Sequence, residues 1–484
     1  MTLRRFFLVP FVLYCILTVS AQPANDQQQT TNQLAASIYT GPSMKTLREL
    51  TDGIGGRLSG SPAHNRATEW AEAQFRAAGV PNVHLESFTI PSGWQRGTAS
   101  GEVLAPSVRP LHIASIGWAP STPAGGVKGE IVVVDDLAMD KLKSKADQVK
   151  GKIVLLDTAK IFADGFFKVF PLLDPAYQFL HDHGVQAIIF PDHELSDVLN
   201  AHDASWGARL SLLPAGELGM EDTKLVRRLL EQGPVTIQYE AENKVSGPTQ
   251  VNNVIAEIRG SERPDEWILI GAHLDSWDFA TGAQDNGTGS VSVIEVARAL
   301  AALGKPLRRS VRFALWGGEE QGILGSFAYT QAHLKEMEKC IAVLNTDNGA
   351  GHPKGWKVEG RKDLQEAMQP LSDSLLKDIS GAGLSMETTY DTDHGPFMLQ
   401  GIPALDLWVD MSHYGEIHHK ASDTFDKVDP VDFKAGEAIV VVTAYMIAQQ
   451  EKPIAAHISH AEVADIIKKA GLDEMLTLVG QWKP

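Results

Sequence analysis

The chain has 484 residues, 43% hydrophobic and 21% charged, a composition typical of soluble globular proteins with material for two or three cores. A formal charge of −17 argues against nucleic acid or an anionic membrane surface as partner. The two cysteines are Cys15 and Cys340, and Cys15 lies in a removable leader, so neither an intrachain disulfide nor cysteine chemistry is expected.

Residues 1–21 read as a signal peptide: Arg4-Arg5, an apolar run from Phe6 to Leu17, then Val19-Ser20-Ala21 as a small-residue cleavage site. The run is short for a bilayer span, so export to the periplasm or the exterior is expected, without stable membrane insertion after cleavage. Residues 22–42, rich in Gln, Thr and Asn up to Asn32, are expected to form a flexible leader. A catalytic domain is expected over 43–100 and 246–450. It opens with the loop GGRLSGSP (Gly55–Pro62), a helix over His64–Ala78 stopped by Gly79, and a strand over Val83–Ile90.

Between 101 and 245 the texture changes to short β-runs broken by Gly and Pro, with one helix over Pro175–Gly184, and a separate β-rich domain is expected there as an insertion. His181, His183, His193 and His202 fall in it at spacings that fit no compact ligand set, so surface or structural roles are expected. From Asn252 strands and helices alternate: Asn253–Ile258, Trp267–Ala272, Val311–Trp316, Ile341–Thr346 and Ala404–Val409 as strands, Ser290–Leu303 and Phe433–Ala448 as buried helices. Pro370 should interrupt a helix carrying Leu364, Met368 and Leu371. Residues 451–484 are expected to add a helical tail with no chemistry of its own. The fold class is α/β, with a mixed central sheet flanked by helices.

Four of the strands run into chemistry. The strand before His273 is followed by Asp275 and then by Asp285 on a Gly-rich turn. Trp316 is followed by Glu319-Glu320, Thr346 by Asp347, and Val409 leads to His418-His419. Ligands gather beyond the carboxyl ends of strands in open α/β sheets, and imidazole nitrogen with carboxylate oxygen suits zinc. His273, Asp285, Glu320, Asp347 and His419 are one ligand too many for a single tetrahedral ion with an open position. They suit two ions if one carboxylate bridges, and Asp285 is the natural bridge. Glu319 is left over beside a ligand, as suits a general base acting on a metal-bound water, and Asp275 is placed to fix the tautomer of His273. No HExxH helix is present.

The order HLDSWD, DNGTG, GGEEQG, NTD, HHKASDT resembles the di-zinc exopeptidase family of zinc aminopeptidases and glutamate carboxypeptidases. The resemblance covers most of 46–430 and includes a protease-associated domain at the insertion. It implies two Zn2+ ions, one held by His273 and Asp347, the other by Glu320 and His419, with Asp285 between them. Glu319 would be the base and Asp275 the residue orienting His273. A metal-bridging hydroxide would hydrolyse dipeptides or short peptides from one end. His418 stands where some relatives place an oxyanion-holding tyrosine. Asp393, in DHGPF, is either a contact near the substrate or part of a structural turn. Asn286-Gly287-Thr288 matches a glycosylation sequon but sits on a ligand loop. A homodimer is compatible with the resemblance.

Three other readings compete. A glutaminyl-cyclase-like acyltransferase would use one zinc, and both His273 and Asp347 are retained here. A non-catalytic peptide-binding ectodomain would be expected to have lost ligands. A two-metal carbohydrate or phosphate hydrolase is not suggested by the motif order.

Overall fold

The structure is a computed structural model describing residues 22–191 and 198–484; the stretch expected as a signal peptide and His193 lie outside these residues. Its larger sheet has eight strands: β1 (Asn82–Ile90), β2 (Thr249–Ile258), β3 (Arg263–His273), β4 (Arg309–Trp316), β5 (Cys340–Asn345), β6 (Pro353–Lys357), β7 (Gly383–Ser385) and β8 (Ala404–Val409). Their order is β1-β2-β4-β3-β5-β8-β6-β7. The four central strands β4, β3, β5 and β8 run parallel, so their carboxyl ends share one edge. Antiparallel β2 and β6 flank them and make the sheet mixed.

The central strands read as continuous apolar runs because both faces are covered. Ile268 and Ile270 of β3 enter one core, while Trp267 and Leu269 enter another on the opposite face. Helix Thr288–Ala302 is buried around nearly its whole circumference, packed against β3 and against helix Pro430–Gln449. Its one acidic residue, Glu295, is tied to Arg298 at 3.1 Å and accepts from Thr46 Oγ1 at 2.9 Å. Helix Lys362–Leu371 carries Pro370 in its last turn and passes into a wider π turn over Ser372–Leu376.

The stretch expected as a flexible leader is instead a helix, Gln22–Thr40, lying against Pro430–Gln449. The reason is a narrow stripe: Thr31, Leu34, Ala35 and Ile38 recur at helical spacing and are buried, a face that overall polarity conceals.

The insertion forms its own eight-stranded sheet between Ala99 and Ala241. Ile153 and Leu155 face one apolar cluster, Val154 and Leu156 a second, so it carries cores of its own. Its long helix begins at Phe166, ahead of the expected start, and holds Pro171 and Pro175 within it. Chain entry and exit are joined as a two-stranded stalk in which Trp94-Gln95 pairs with Lys244-Val245. The tail forms helices His460–Lys469 and Asp473–Leu478. They dock through Val463, Ile467, Met475 and Leu476 into a cluster with Tyr390, Met398 and Phe170 of the insertion.

Candidate metal centre

His273 ends β3 with its ring 1% exposed. Its Nε2 lies 2.9 Å from Asp347 Oδ1, 3.2 Å from Asp285 Oδ1 and 3.8 Å from Glu319 Oε2. The other ring nitrogen is 2.9 Å from the backbone carbonyl of Asp275 and 3.6 Å from its carboxylate. Asp275 therefore meets His273 chiefly through its main chain. Its carboxylate instead accepts from Ser59 Oγ at 3.0 Å and from the Glu319 backbone N–H at 3.3 Å, tying the ends of β3 and β4 together.

The second oxygen of Asp285 faces another group. Oδ2 is 3.3 Å from His419 Nε2 and 3.5 Å from His418 Nε2, and His419 Nε2 is 3.0 Å from Glu320 Oε2. The donor atoms thus form two sets that share Asp285 alone: His273, Asp285 and Asp347, and Asp285, His418 and His419, with Glu320 joining through His419. Asp285 Oδ2 and Glu320 Oε2 are buried without a hydrogen-bond partner, as expected of oxygens placed for a cation. Imidazole and carboxylate donors with no sulfur among them fit a divalent ion.

His418 is expected to point away from His419 on an extended loop. Instead the two rings stack at 3.8 Å, and both face Asp285. His419 has φ +58°, outside the extended region, and this breaks the side-to-side alternation on which that expectation rests.

Several residues that hold this arrangement carry no signal in their own local sequence. Asp423 accepts from the N–H groups of Gln284 (2.7 Å) and Asp285 (3.0 Å), fixing the turn that presents Asp285. Arg57, fully buried, donates to the carbonyls of Leu274 (2.7 Å), Thr281 (2.7 Å) and Gly282 (3.0 Å). It bonds carbonyls and no carboxylate, and desolvation lowers its pKa to about 10 against the pull of Asp423, Asp275 and Asp285. Asn286 is buried, donating to Thr346 O and accepting from Gly289 N–H, so the sequon is shielded. A Cβ on Gly289 would stand 2.1 Å from Asn286 Oδ1 and 2.3 Å from Thr346 O, which is why only glycine fits there.

Glu319 lies at the rim of the first set, its side chain 12% exposed. Burial pushes its pKa well above the ordinary carboxylate range; Asp347, Asp393 and Glu320 add to this, and His273 opposes it. Asp393 is buried, bonded to Ser326 Oγ through one oxygen and unpartnered at the other. Burial raises it to about 7. It stands in the wall behind the site, near enough to His273 for their charges to interact.

The insertion reaches the centre as well. Ala201 N–H donates to His419 O at 2.6 Å, and Asn200 bridges to Lys420. His202 takes the structural alternative: it bonds Glu217 at 3.1 Å and lines a cavity of about 1220 Å³ together with Glu320, His418 and His419. Of the other insertion histidines, His181 is exposed beside Asp182 and His183 stacks on Phe179.

Residues 253–444 match the sequence profile of peptidase family M28. Carboxypeptidase Q of Mus musculus is 29% identical over 425 residues, 86% of this chain and 87% of its own length. A peptidase M28 precursor of Shewanella amazonensis superposes with a TM-score of 0.79 at 27% identity, covering 90% of this chain and 99% of its own. A zinc aminopeptidase from Bacillus subtilis, at 21% identity and a TM-score of 0.66 over 86% of this chain and 97% of its own, shares the fold. The matched region contains all the converging donor side chains, and these likenesses to peptidase family M28 and to carboxypeptidase Q support a metallopeptidase.

Proposed function

We propose that the protein is an exported exopeptidase that hydrolyses dipeptides or short peptides at a centre of two Zn2+ ions. The observation that carries this reading is the division of Asp285, whose two oxygens face different donor sets at 3.2 and 3.3 Å. One ion would be held by His273, Asp347 and Asp285, the other by Asp285, Glu320 and His419, with His418 beside it. When bound, zinc would supply Lewis acidity toward the scissile carbonyl and lower the pKa of a coordinated water.

The protein side chains supply the rest. Glu319 makes no side-chain hydrogen bond among the described residues and is held near His273 with a raised affinity for a proton. It would accept the proton of the attacking water and pass it to the leaving amine. Asp275 holds the Glu319 backbone and, through its carbonyl, the His273 tautomer. His418 supplies a ring beside the second set, placed for an oxyanion contact. Two complete donor sets favour this reading over a one-zinc acyltransferase or a non-catalytic ectodomain. Export rests on the signal peptide read from residues 1–21, and the insertion is taken as a protease-associated domain.

The test is metal counting with substitution. The zinc-loaded protein should hold about two ions per chain, and chelation should abolish peptide hydrolysis. Glu319→Gln should keep both ions and lose about 10²- to 10⁴-fold in turnover. Glu320→Gln should lose affinity for one ion. Full activity with a count saturating at one would overturn the two-ion reading.

A further inference from the structure

Residues of the insertion and of the catalytic core line one cavity beside Glu320, His418 and His419. Phe162, Phe170, Tyr177, Phe190, Trp206 and Phe327 line it. Trp206 meets Phe170 edge-on at 5.1 Å and lies against Gly322, where a Cβ would come within 2.6 Å of the indole. The aromatic wall is thereby fixed to the Glu319-Glu320 loop, and Gly207 N–H adds a hydrogen bond to Gln321 O at 2.9 Å.

The charged groups facing this cavity are unequal. Its arginine, Arg209, is already paired with Asp174 at 2.8 Å. Glu217 is bonded to His202, and Glu320 belongs to the second donor set. Asp203 is different: its Oδ1 is buried without a hydrogen-bond partner. Its main chain is held firmly, since Ala204 N–H donates to Gly117 O at 2.8 Å and Gly117 N–H to His202 O at 3.0 Å. It lies close enough to Glu320 and Asp275 for their charges to act on it. A buried carboxyl oxygen without a partner, whose bare charge burial and the neighbouring carboxylates disfavour, would be completed here by a cation that arrives with the substrate.

We propose that Asp203 of the insertion binds the free α-ammonium of the substrate while the aromatic cavity takes its first side chain. The substrates are then peptides with an unblocked amino end and a bulky apolar first residue. This rests on the peptidase reading above and adds the choice of end to it. Among the described residues the cavity offers no unpaired arginine or lysine for a terminal carboxylate, which disfavours recognition from the other end.

The test uses the zinc-loaded full chain with four probes: phenylalanine p-nitroanilide, its N-acetyl derivative, N-acetyl-lysine p-nitroanilide, and N-benzyloxycarbonyl-glycyl-phenylalanine. Only the first should be cleaved efficiently. Asp203→Asn should lower kcat/KM on it by about 10- to 100-fold, the cost of a lost charge-assisted hydrogen bond, with zinc content unchanged. Phenylalaninamide should inhibit the wild-type protein at least about tenfold more tightly than 3-phenylpropanamide, which lacks the amine; this comparison does not depend on how the variant folds. Preference for the N-blocked dipeptide or for the acetyl-lysine probe would overturn the proposal and leave the peptidase reading standing. Equal inhibition by the two amides, or an Asp203→Asn enzyme of wild-type kcat/KM, would overturn the assignment to Asp203. Failure of the loaded protein to cleave any peptide would instead overturn the peptidase reading beneath it.

Discussion

His418 and His419 make the same kind of contact with Asp285, but His419 alone reaches Glu320, at 3.0 Å. On the two-ion proposal, His419→Ala should therefore cost more affinity for the second zinc than His418→Ala, with neither touching the ion proposed between His273 and Asp347. Isothermal titration of the two variants checks this, and equal losses would make the pair interchangeable ligands. The pair also marks where local reading ends. His273, Glu319, Glu320 and Asp347 were legible as candidates because each follows an apolar run closely, and Asp285 because it lies on the Gly-rich turn beyond the same strand as His273; parallel strands deliver their ends to one edge. That His418 and His419 face the same carboxylate was not legible, because one left-handed residue reverses the alternation that sequence spacing assumes. Arg57 and Asp423 were passed over because their partners, Leu274 and Gln284, lie far along the chain, and carbonyl and amide groups leave no trace in residue identity.

Among the elements, the buried helices were plain from their apolar circumference, whereas helix Gln22–Thr40 was hidden because four residues on one stripe decide its docking. Helix Pro430–Gln449 carries a carboxyl that its apolar setting penalises. Glu437 is fully buried, accepts from Ser43 Oγ at 2.6 Å, and leaves its other oxygen unpartnered. Burial, reinforced by Glu295, pushes its pKa up to about 8. Above the ordinary carboxyl value and below about pH 8, the folded protein keeps a proton that the unfolded chain releases. Stability from this group therefore falls as pH rises through that window and levels off above it. Glu437→Gln should remove the slope, so that the unfolding free energies of variant and wild type, from urea titrations, diverge by on the order of a few kcal/mol toward pH 8.5. Parallel profiles would show that Glu437 titrates normally.

For the molecule as a whole, the insertion touches the segment that carries His419 although none of the candidate ligands lies within it. The segment at Asn200–Ala201 holds the main chain at His419 and Lys420, and His202 and Asp203 follow in the cavity wall. On the two-ion proposal, replacing residues 98–242 by a short linker should weaken zinc binding at His419 and Glu320 while sparing that at His273 and Asp347. Loss of both ions together would mean that the core needs the insertion to fold. Among the described residues no helix is long and apolar enough to cross a membrane. The existence of the insertion was legible from its broken β-runs; its contact with the centre was not, since it depends on how the stalk aims one body at the other.

That stalk also bears on how the chain reaches its native state. β1 must pair with β2, Ile90 opposite Thr249, across everything the insertion contains. Closing so long a disordered loop costs entropy that grows with the logarithm of its length, and non-local pairing of this kind is slow. If the insertion folds first on its own cores, Trp94-Gln95 and Lys244-Val245 are already side by side, and the remaining closure spans only a few residues on either strand. Leu156→Ala, deep in the insertion and expected to destabilise it by about 2–5 kcal/mol, should then delay β1–β2 pairing during refolding. Pulse-labelled amide exchange at Leu85 and Val254 would detect the delay, and protection there ahead of the insertion would reverse the order.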